Sequence, residues 1–243
     1  MTKPKCANIF IGYDDRERVA VNVLTNSIQA NSSIPVQIGQ IRLEQIEDIY
    51  SRSHDPLQST DFSFSRFLVP YLMNYQGWAL FIDADMLCLG DISELWGMRD
   101  HQKAVQVVKH KHNCKPGKKF QGMPQTPYKR KNWSSVMLFQ CNKCQMLSPE
   151  FVNTATGLQL HQFNWINDSE IGELPEEWNV LVDVQSIPPK PKILHYTLGG
   201  PWFNDFHHNA AGDVWLSSLK DLNYPFNHSS LSTTDNLKSN ENN

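Results

Sequence analysis

The stretch WALFIDADMLCLGDISELW, Trp78–Trp96, decides how the rest of the chain is interpreted. It begins with five apolar residues, which is typical of a strand buried on both faces. The apolar run leads directly into Asp83-Ala84-Asp85, so two carboxylates stand where the chain leaves the sheet. In open α/β sheets, ligands bind beyond the carboxyl ends of the strands. The stretch therefore predicts an α/β fold with a ligand site beside Asp83 and Asp85.

Two carboxylates held together in a partly buried place repel each other unless a cation lies between them. Hard carboxylate oxygens suit Mg²⁺ or Mn²⁺, which keep coordination positions open for phosphate oxygens. One interpretation is therefore a divalent metal ion that holds a diphosphate. The other is that Asp83 caps the following turn and Asp85 is solvated. The spacing by itself does not choose between the two.

Strands and helices alternate on both sides of this stretch. Four further apolar runs predict strands, at residues 7–12, 36–41, 104–108 and 136–139. Apolar residues at helical spacing predict a helix after the first strand and another between Phe64 and Leu72, which Pro70 interrupts. This alternation favours a mostly parallel, twisted sheet with helices on both faces.

Composition places the chain among globular domains. It has 243 residues, and its 40% of hydrophobic residues excludes disorder of the whole chain. Its formal net charge of −3 argues against a dedicated nucleic-acid-binding protein, which usually has an excess of basic residues. We expect one domain over residues 1–226. Residues 227–243 form a polar tail, NHSSLSTTDNLKSNENN, that contains too few apolar side chains to offset its ordering entropy and is predicted to be disordered.

The charge is unevenly distributed along the chain. The basic segment, Lys109–Lys131, contains eight Lys and Arg and no acidic residue, whereas the remaining residues carry 14 basic and 25 acidic side chains. Its prolines and glycines predict a loop. Two hypotheses fit this loop: a solvated surface segment, or a mobile lid that recognises an anionic acceptor or a diphosphate.

Features that would indicate export or membrane insertion are not evident. The apolar run at Trp78–Ile82 is far shorter than the roughly 18 residues that span a bilayer. The N-terminus has only a three-residue apolar run, whereas a secretory signal needs roughly 7–15 apolar residues. The five cysteines do not suggest a disulfide framework. We expect a cytoplasmic protein without a transmembrane segment.

Five motifs in order along the chain carry a family resemblance. They are Ser65-Arg66-Phe67, FIDADMLCLGDISELW, KNWSSVMLFQC (131–141), NDSEIGELPEEWNVL (167–181) and KILHYTLGGPW (192–202). From about Asn8 to Phe203, the chain resembles retaining glycosyltransferases of the GT-A fold, in the glycogenin and lipopolysaccharide galactosyltransferase family (family eight).

The resemblance implies a metal-dependent glycosyltransferase of the hexosyltransferase type, which moves a sugar from a nucleotide diphosphate sugar to an acceptor hydroxyl with retained configuration. It implies that Asp83, Asp85 and His195 bind Mn²⁺ or Mg²⁺, and that Ala84 belongs to the same donor-binding motif. The donor is expected to be a UDP-sugar, and the acceptor a glycan or another hydroxyl compound. No nucleic-acid partner is expected.

Further site residues follow from the same resemblance. The end of the first strand, Ile11, Gly12, Tyr13 and Asp14, matches the region that binds the base and ribose. Tyr13 is expected to stack on the base.

Two residues match catalytic positions of the family. Arg66 corresponds to an arginine near the donor sugar and diphosphate, and Asp168 to an aspartate near the transferred sugar. The family's lysine that follows the metal-binding histidine is absent, so we expect the backbone N–H groups of Gly199 and Gly200 to contact the diphosphate instead.

Two other classes remain open from the residues themselves. Apolar strands followed by Asp-x-Asp also occur in haloacid-dehalogenase phosphatases. Alternatively, a zinc-binding, non-enzymatic nucleic-acid or interaction module would use the histidines and cysteines at positions 110, 112, 114, 141 and 144.

Overall fold

The structure is a computed structural model. It describes residues 6–53, 58–111 and 129–222, together with the backbone of residues 117–118 and 124–125. The predicted disordered tail, 227–243, and most of the basic segment lie outside the described residues.

A six-stranded central sheet forms the body of the molecule. Its spatial order is β2-β1-β3-β8-β5-β9. Strand β8 runs antiparallel to both β3 and β5, and the other three neighbouring pairs are parallel. The strands are β1 (Ala7–Gly12), β2 (Val36–Ile41), β3 (Trp78–Ile82), β5 (Val105–Val108), β8 (Val136–Gln140) and β9 (Ile171–Leu174).

A smaller, three-stranded sheet begins with the strand that follows β3 in the chain. Its spatial order is β10-β11-β4, with β10 and β11 parallel and β11 and β4 antiparallel. The strands are β4 (Met86–Cys88), β10 (Val180–Leu181) and β11 (Ile193–His195). Because β3 belongs to the central sheet and β4 to the smaller one, Asp83, Ala84 and Asp85 form the turn between the two sheets.

Seven α-helices occur in the described residues. They are α1 (Arg18–Ala30), α2 (Phe62–Ser65), α3 (Val69–Leu72), α4 (Ile92–Gly97), α5 (Pro149–Thr154), α6 (Gly157–His161) and α7 (Gly212–Leu222). Asp91 caps α4 by accepting from the backbone N–H of Ser93, and Thr156 and Gln159 form a capping box at α6. These caps satisfy helix N–H groups that would otherwise lack partners.

Two hydrophobic cores hold the layers together. The larger core surrounds the central sheet, whose β3, β5 and β8 are buried on both faces. The smaller core joins the three-stranded sheet to α7 through Leu87, Tyr196 and Trp215. Helix α1 contributes to both, with Val21 and Leu24 in the larger core and Ala20 and Val23 in the smaller one.

The α/β fold with a mostly parallel sheet is confirmed. The interrupted helix is also present: α2 ends at Ser65, and a 3-10 turn follows over Arg66–Leu68. Pro70 lies in the first turn of α3, where its missing backbone N–H removes no helical hydrogen bond. The basic segment differs in part from the predicted loop, because β6 (Gly117–Lys118) and β7 (Pro124–Gln125) pair as a short antiparallel hairpin. No helix among the described residues has the length and apolar character needed to cross a membrane.

Candidate active site

Strand pairing brings the third predicted metal ligand to the two aspartates. His195 ends β11 and pairs with Met86 of β4, the residue that follows Asp85. The backbone N–H of Tyr196 donates to the carbonyl of Asp85, at 2.9 Å. The backbone N–H of Asp83 donates to the carbonyl of Ser135, the residue before β8, at 3.0 Å. The aspartate turn is therefore anchored to both sheets.

Asp83, Asp85 and His195 form one buried cluster. One carboxylate oxygen from each aspartate and one imidazole nitrogen all lie within 4.8 Å of one another. Nε2 of His195 is 3.4 Å from Oδ1 of Asp85. Two oxygens and one imidazole nitrogen at this separation form a donor set that fits a divalent cation such as Mn²⁺.

Arg66 supports this cluster from the side of the central sheet. Its Nη1 lies 2.6 Å from Oδ1 of Asp83 and also donates to the carbonyl of Ser134, at 2.9 Å. The guanidinium lies over the rings of Phe62 and Phe81. Burial raises the pKa of Asp83, and Arg66 offsets this increase only in part. Arg66 thus contacts a metal-ligand candidate, and its predicted position near the donor sugar and diphosphate stays a prediction.

Two buried polar residues that the sequence did not single out complete the surroundings. Oδ1 of Asn179 accepts from Nδ1 of His195 at 2.9 Å, and Nδ2 of Asn179 donates to the carbonyl of Asn132 at 3.2 Å. Ser134 Oγ lies 2.8 Å from Nδ1 of His161 at the end of α6. Both residues lie within the quoted motifs, but the motifs assigned them no role, because each contacts a side chain that is distant in sequence.

Glu17 is a further carboxylate that the sequence gave no reason to select. Its side chain is 1% exposed, and neither carboxylate oxygen has a hydrogen-bond partner among the residues that the structure describes. Burial raises the pKa of Glu17 well above its ordinary value, and the negative charges of Asp85, Asp14 and Asp83 raise it further. The site therefore concentrates four acidic side chains.

The predicted base and ribose region follows β1, as expected, but its polar groups have partners within the protein. Asp14 accepts from the backbone N–H and the guanidinium of Arg16 and from the N–H of Asp61. Although burial opposes this, these hydrogen bonds hold the pKa of Asp14 below its ordinary value. Ile11 is fully buried, and a side chain at Gly12 would collide with the ring of Phe62.

Tyr13 is less available for stacking than the sequence predicted. It is 5% exposed, its hydroxyl donates to Asp15, and the guanidinium of Arg42 covers one face of its ring at 4.0 Å. Ala84 is fully buried in the aspartate turn. Base stacking by Tyr13 remains a prediction that requires the other face of the ring.

The glycine pair after His195 lies in a tight turn. Gly199 has a φ of +138°, which an L side chain rarely adopts, and its N–H donates to the carbonyl of Tyr196 at 2.8 Å. A Cβ atom on Gly200 would collide with the ring of Trp202. The N–H of Gly199 is therefore engaged in the turn, which leaves that of Gly200 as the candidate for a phosphate contact.

Asp168 does not join the cluster. It lies before β9, whereas Asp83 lies after β3, and two strands separate β9 from β3 in the sheet. At the usual spacing of about 4.8 Å between strands, this offset alone is about 14 Å. The Asp168 carboxylate is 78% exposed and pairs with Arg130 at 2.6 Å. Asp168 therefore lies outside the metal cluster, and its predicted role near the transferred sugar stays a prediction.

The described residues do not support the zinc alternative. Cys141 and Cys144 are fully buried, and Sγ of Cys144 donates to the carbonyls of Ala104 and Gln140. Burial raises the pKa of Cys141 to about 12 and also raises that of Cys144, as is usual for thiols packed in a core. Among the described residues, the group of three or more metal-ligand side chains is Asp83, Asp85 and His195, without either cysteine. His112 and Cys114 lie outside the described residues.

Comparison with known proteins assigns the family. The model of glycosyl transferase family 8 matches residues 7–205, which include the aspartate turn and His195. The chain belongs to glycosyl transferase family 8. This family 8 chain is also 44% identical to Protein CDI of Arabidopsis thaliana, over 91% of this chain and 89% of that protein.

Solved structures agree on the fold. The bifunctional glycosyltransferase WbbM superposes with a TM-score of 0.62 at 16% identity, covering 90% of this chain and 50% of WbbM. GlyE of Streptococcus pneumoniae gives 0.60 at 16%, covering 88% and 60%. The galactosyltransferase LgtC, in complex with donor and acceptor sugar analogues, gives 0.60 at 11%, covering 92% and 99%. The family 8 chain thus spans half of WbbM and 60% of GlyE.

These findings confirm three predictions from the sequence: the family, the GT-A fold and the identity of the protein as a glycosyltransferase. The family assignment also removes the phosphatase alternative. The metal, the donor, the stereochemistry, the roles of the site residues and the cytoplasmic location remain predictions.

Proposed function

We propose that this glycosyltransferase moves a sugar from a nucleotide diphosphate sugar, a UDP-sugar, to an acceptor hydroxyl with retention of configuration and with the help of a divalent metal ion. The observation that carries the proposal is the buried cluster of Asp83, Asp85 and His195, with three donor atoms within 4.8 Å. LgtC, whose fold this chain shares, has been crystallised with donor and acceptor sugar analogues, which supports a two-substrate transfer.

The donor set favours Mn²⁺ over Mg²⁺. The two carboxylate oxygens suit either ion, but an imidazole nitrogen favours the transition metal. With a net charge near −2 from the two aspartates, a divalent ion would also neutralise the buried carboxylates. We therefore propose Mn²⁺ as the preferred ion and Mg²⁺ as a weaker substitute.

Within this proposal, the residues of the chain have distinct tasks. When bound, the ion supplies Lewis-acid stabilisation of the charge that develops on the leaving diphosphate. Asp83, Asp85 and His195 hold it, and Arg66 keeps Asp83 in place. The N–H of Gly200, five residues after His195 in the chain, is proposed to donate to a phosphate oxygen. The transition state is expected to resemble an oxocarbenium ion.

The remaining assignments are proposals from family resemblance. Ile11, Gly12, Tyr13 and Asp14 would border the base and ribose. For the acceptor we propose an anionic glycan, because the basic segment would attract it. We do not assign a role in the reaction to Asp168.

A nucleotide-sugar screen with Mn²⁺, with Mg²⁺ and with a chelator tests the proposal. We expect Mn²⁺-dependent turnover of a UDP-sugar in the wild type. Asp85→Asn should lose more than the roughly 10–100-fold that is typical when a residue supporting a metal ligand is replaced. Asp221→Asn, an equivalent exchange on the exposed face of α7, is the matched control and should keep full activity. Turnover that is unaffected by the chelator, or by Asp85→Asn, would refute the metal site.

A further inference from the structure

We propose that Asn179 is a positioning residue that holds the His195 imidazole in the Nδ1–H form, with the lone pair of Nε2 facing Asp85. The proposal rests on the metal site proposed above. Asn179 is buried and lies between the 3-10 turn at Glu176–Trp178 and strand β10 of the smaller sheet.

The orientation of the Asn179 amide is fixed by its second partner. The carbonyl of Asn132 only accepts hydrogen bonds, and Nδ2 of Asn179 donates to it at 3.2 Å. Reversing the amide would place two oxygens against each other. Oδ1 of Asn179 therefore faces Nδ1 of His195, at 2.9 Å, and can only accept. It follows that Nδ1 carries the proton.

A neutral imidazole has a single N–H group, so the proton on Nδ1 leaves Nε2 with a lone pair. Nε2 lies 3.4 Å from Oδ1 of Asp85, which is also an acceptor. Two acceptors at this distance repel each other unless a cation lies between them. The Nδ1–H form thus produces a site that is suited to a metal ion.

The opposite tautomer would close the site. With its proton on Nε2, His195 would donate to Asp85, and the lone pair needed for coordination would face away from the cluster. Hydrogen bonds at the second ring nitrogen commonly select the tautomer of metal-binding histidines. Asn179 supplies that hydrogen bond here. Because Asn179 accepts from Nδ1, the lone pair of Nε2 stays available to a cation in the cluster.

Burial of the Asn179 amide strengthens its preference for these two hydrogen-bond partners. Asn179 is fully buried and Asn132 is 9% exposed, so water does not compete readily for either amide group. Asn132 has a φ of +64° and directly precedes the turn into β8, whereas His195 ends β11. The Asn179 side chain therefore links the central sheet to the smaller sheet at the metal ligand itself.

The experiment uses ¹⁵N NMR of histidine-labelled, metal-free protein, with the His195 signals assigned by their loss in His195→Gln. In the wild type, Nδ1 should have a pyrrole-type shift and Nε2 a pyridine-type shift. Asn179→Leu removes the acceptor and should shift His195 towards the Nε2–H form. Asn179→Asp keeps an acceptor at the same place and should retain the wild-type tautomer.

Mn²⁺ affinity, measured from the EPR signal of free Mn²⁺ without any sugar nucleotide, provides the second readout. Asn179→Leu should weaken binding about 10–100-fold, and Asn179→Asp by less than Asn179→Leu. Val180→Ala creates a cavity at the buried residue next to Asn179 and controls for a general loss of stability. It should change neither the His195 tautomer nor the Mn²⁺ affinity.

The possible failures are distinguishable. If His195 carries its proton on Nε2 in the wild type, or keeps the Nδ1–H form in Asn179→Leu, the role of Asn179 is refuted while the metal site stands. If Val180→Ala alters the tautomer as strongly as Asn179→Leu, the effect is one of packing and the proposal fails. If the wild type does not bind Mn²⁺, the proposed metal site fails, and the role of Asn179 fails with it.

Discussion

Two aspartate–arginine pairs in this protein have the same length and opposite surroundings. Asp83 and Arg66 lie 2.6 Å apart, with exposed side-chain fractions of 9% and 6%. Asp168 and Arg130 also lie 2.6 Å apart, with fractions of 78% and 22%. The sequence predicted catalytic or metal-binding roles for three of these four residues. Distance therefore does not separate the two pairs, but burial does.

The difference lies in what each pair contributes when one partner is removed. At the surface, water replaces a lost partner, so an ion pair contributes little. In the interior, the remaining charge has no water to solvate it, and the loss is large. The buried pair also lies beside Asp85 and Glu17, so its arginine offsets the repulsion among several carboxylates. A cluster of buried carboxylates that costs this much repulsion is consistent with a site that binds a cation.

The largest effect should come from Arg66→Met, which removes the cation but keeps an apolar side chain between Phe62 and Phe81. We expect the free energy of unfolding of the metal-free protein to fall by about 3–5 kcal/mol, because Asp83 is left as a buried, unpaired charge. Urea denaturation followed by circular dichroism measures this change.

A second variant tests the explanation. Arg66→Met combined with Asp83→Asn removes both charges and should recover part of the lost stability. If the double variant is as unstable as the sum of the two single variants, lost packing, and not the unpaired charge, is the cause.

Glu17 extends the contrast between buried and exposed carboxylates, because it is buried and has no hydrogen-bond partner among the described residues. A group whose pKa is raised on folding contributes most stability below its unfolded pKa, and that contribution declines as the pH rises towards the folded pKa. From pH 5 to 7, the unfolding free energy of the metal-free wild type should therefore fall relative to that of Glu17→Gln, by at most about 1.4 kcal/mol per pH unit.

Thermal or urea unfolding at several pH values measures this difference. Glu150→Gln, an exposed exchange at the start of α5, is the control and should follow the wild type. Parallel pH profiles for the wild type and Glu17→Gln would show that Glu17 has an ordinary pKa, and would contradict the idea of a concentrated negative charge at this site.

The smallest effect is expected for Asp168→Asn. The pair with Arg130 is exposed on the aspartate side, so the unfolding free energy should change by less than about 1 kcal/mol. Sugar transfer under saturating Mn²⁺ should also stay close to the wild-type rate. A clear loss of transfer without a loss of stability would show that Asp168 takes part in the reaction, and that an exposed ion pair can be as important as the buried one.

Several features followed from the sequence because they depend on local patterns. The five apolar residues at Trp78–Ile82 identify a buried strand by composition alone. The adjoining Asp83-Ala84-Asp85 places two carboxylates at its end whatever the rest of the chain does. Together with the other motifs in order, these features were sufficient to predict the α/β fold, the family and all three metal-ligand candidates.

Other features required the tertiary structure because they depend on contacts between distant segments. His195 reaches Asp85 only through the pairing of β11 with β4, and Asn179 meets His195 and Asn132 only where the two sheets adjoin. Asp168 matched a motif by sequence but lies three strand positions from β3. A sequence lists which side chains are available, whereas burial, pKa shifts and hydrogen-bond partners arise from neighbours that only folding brings together.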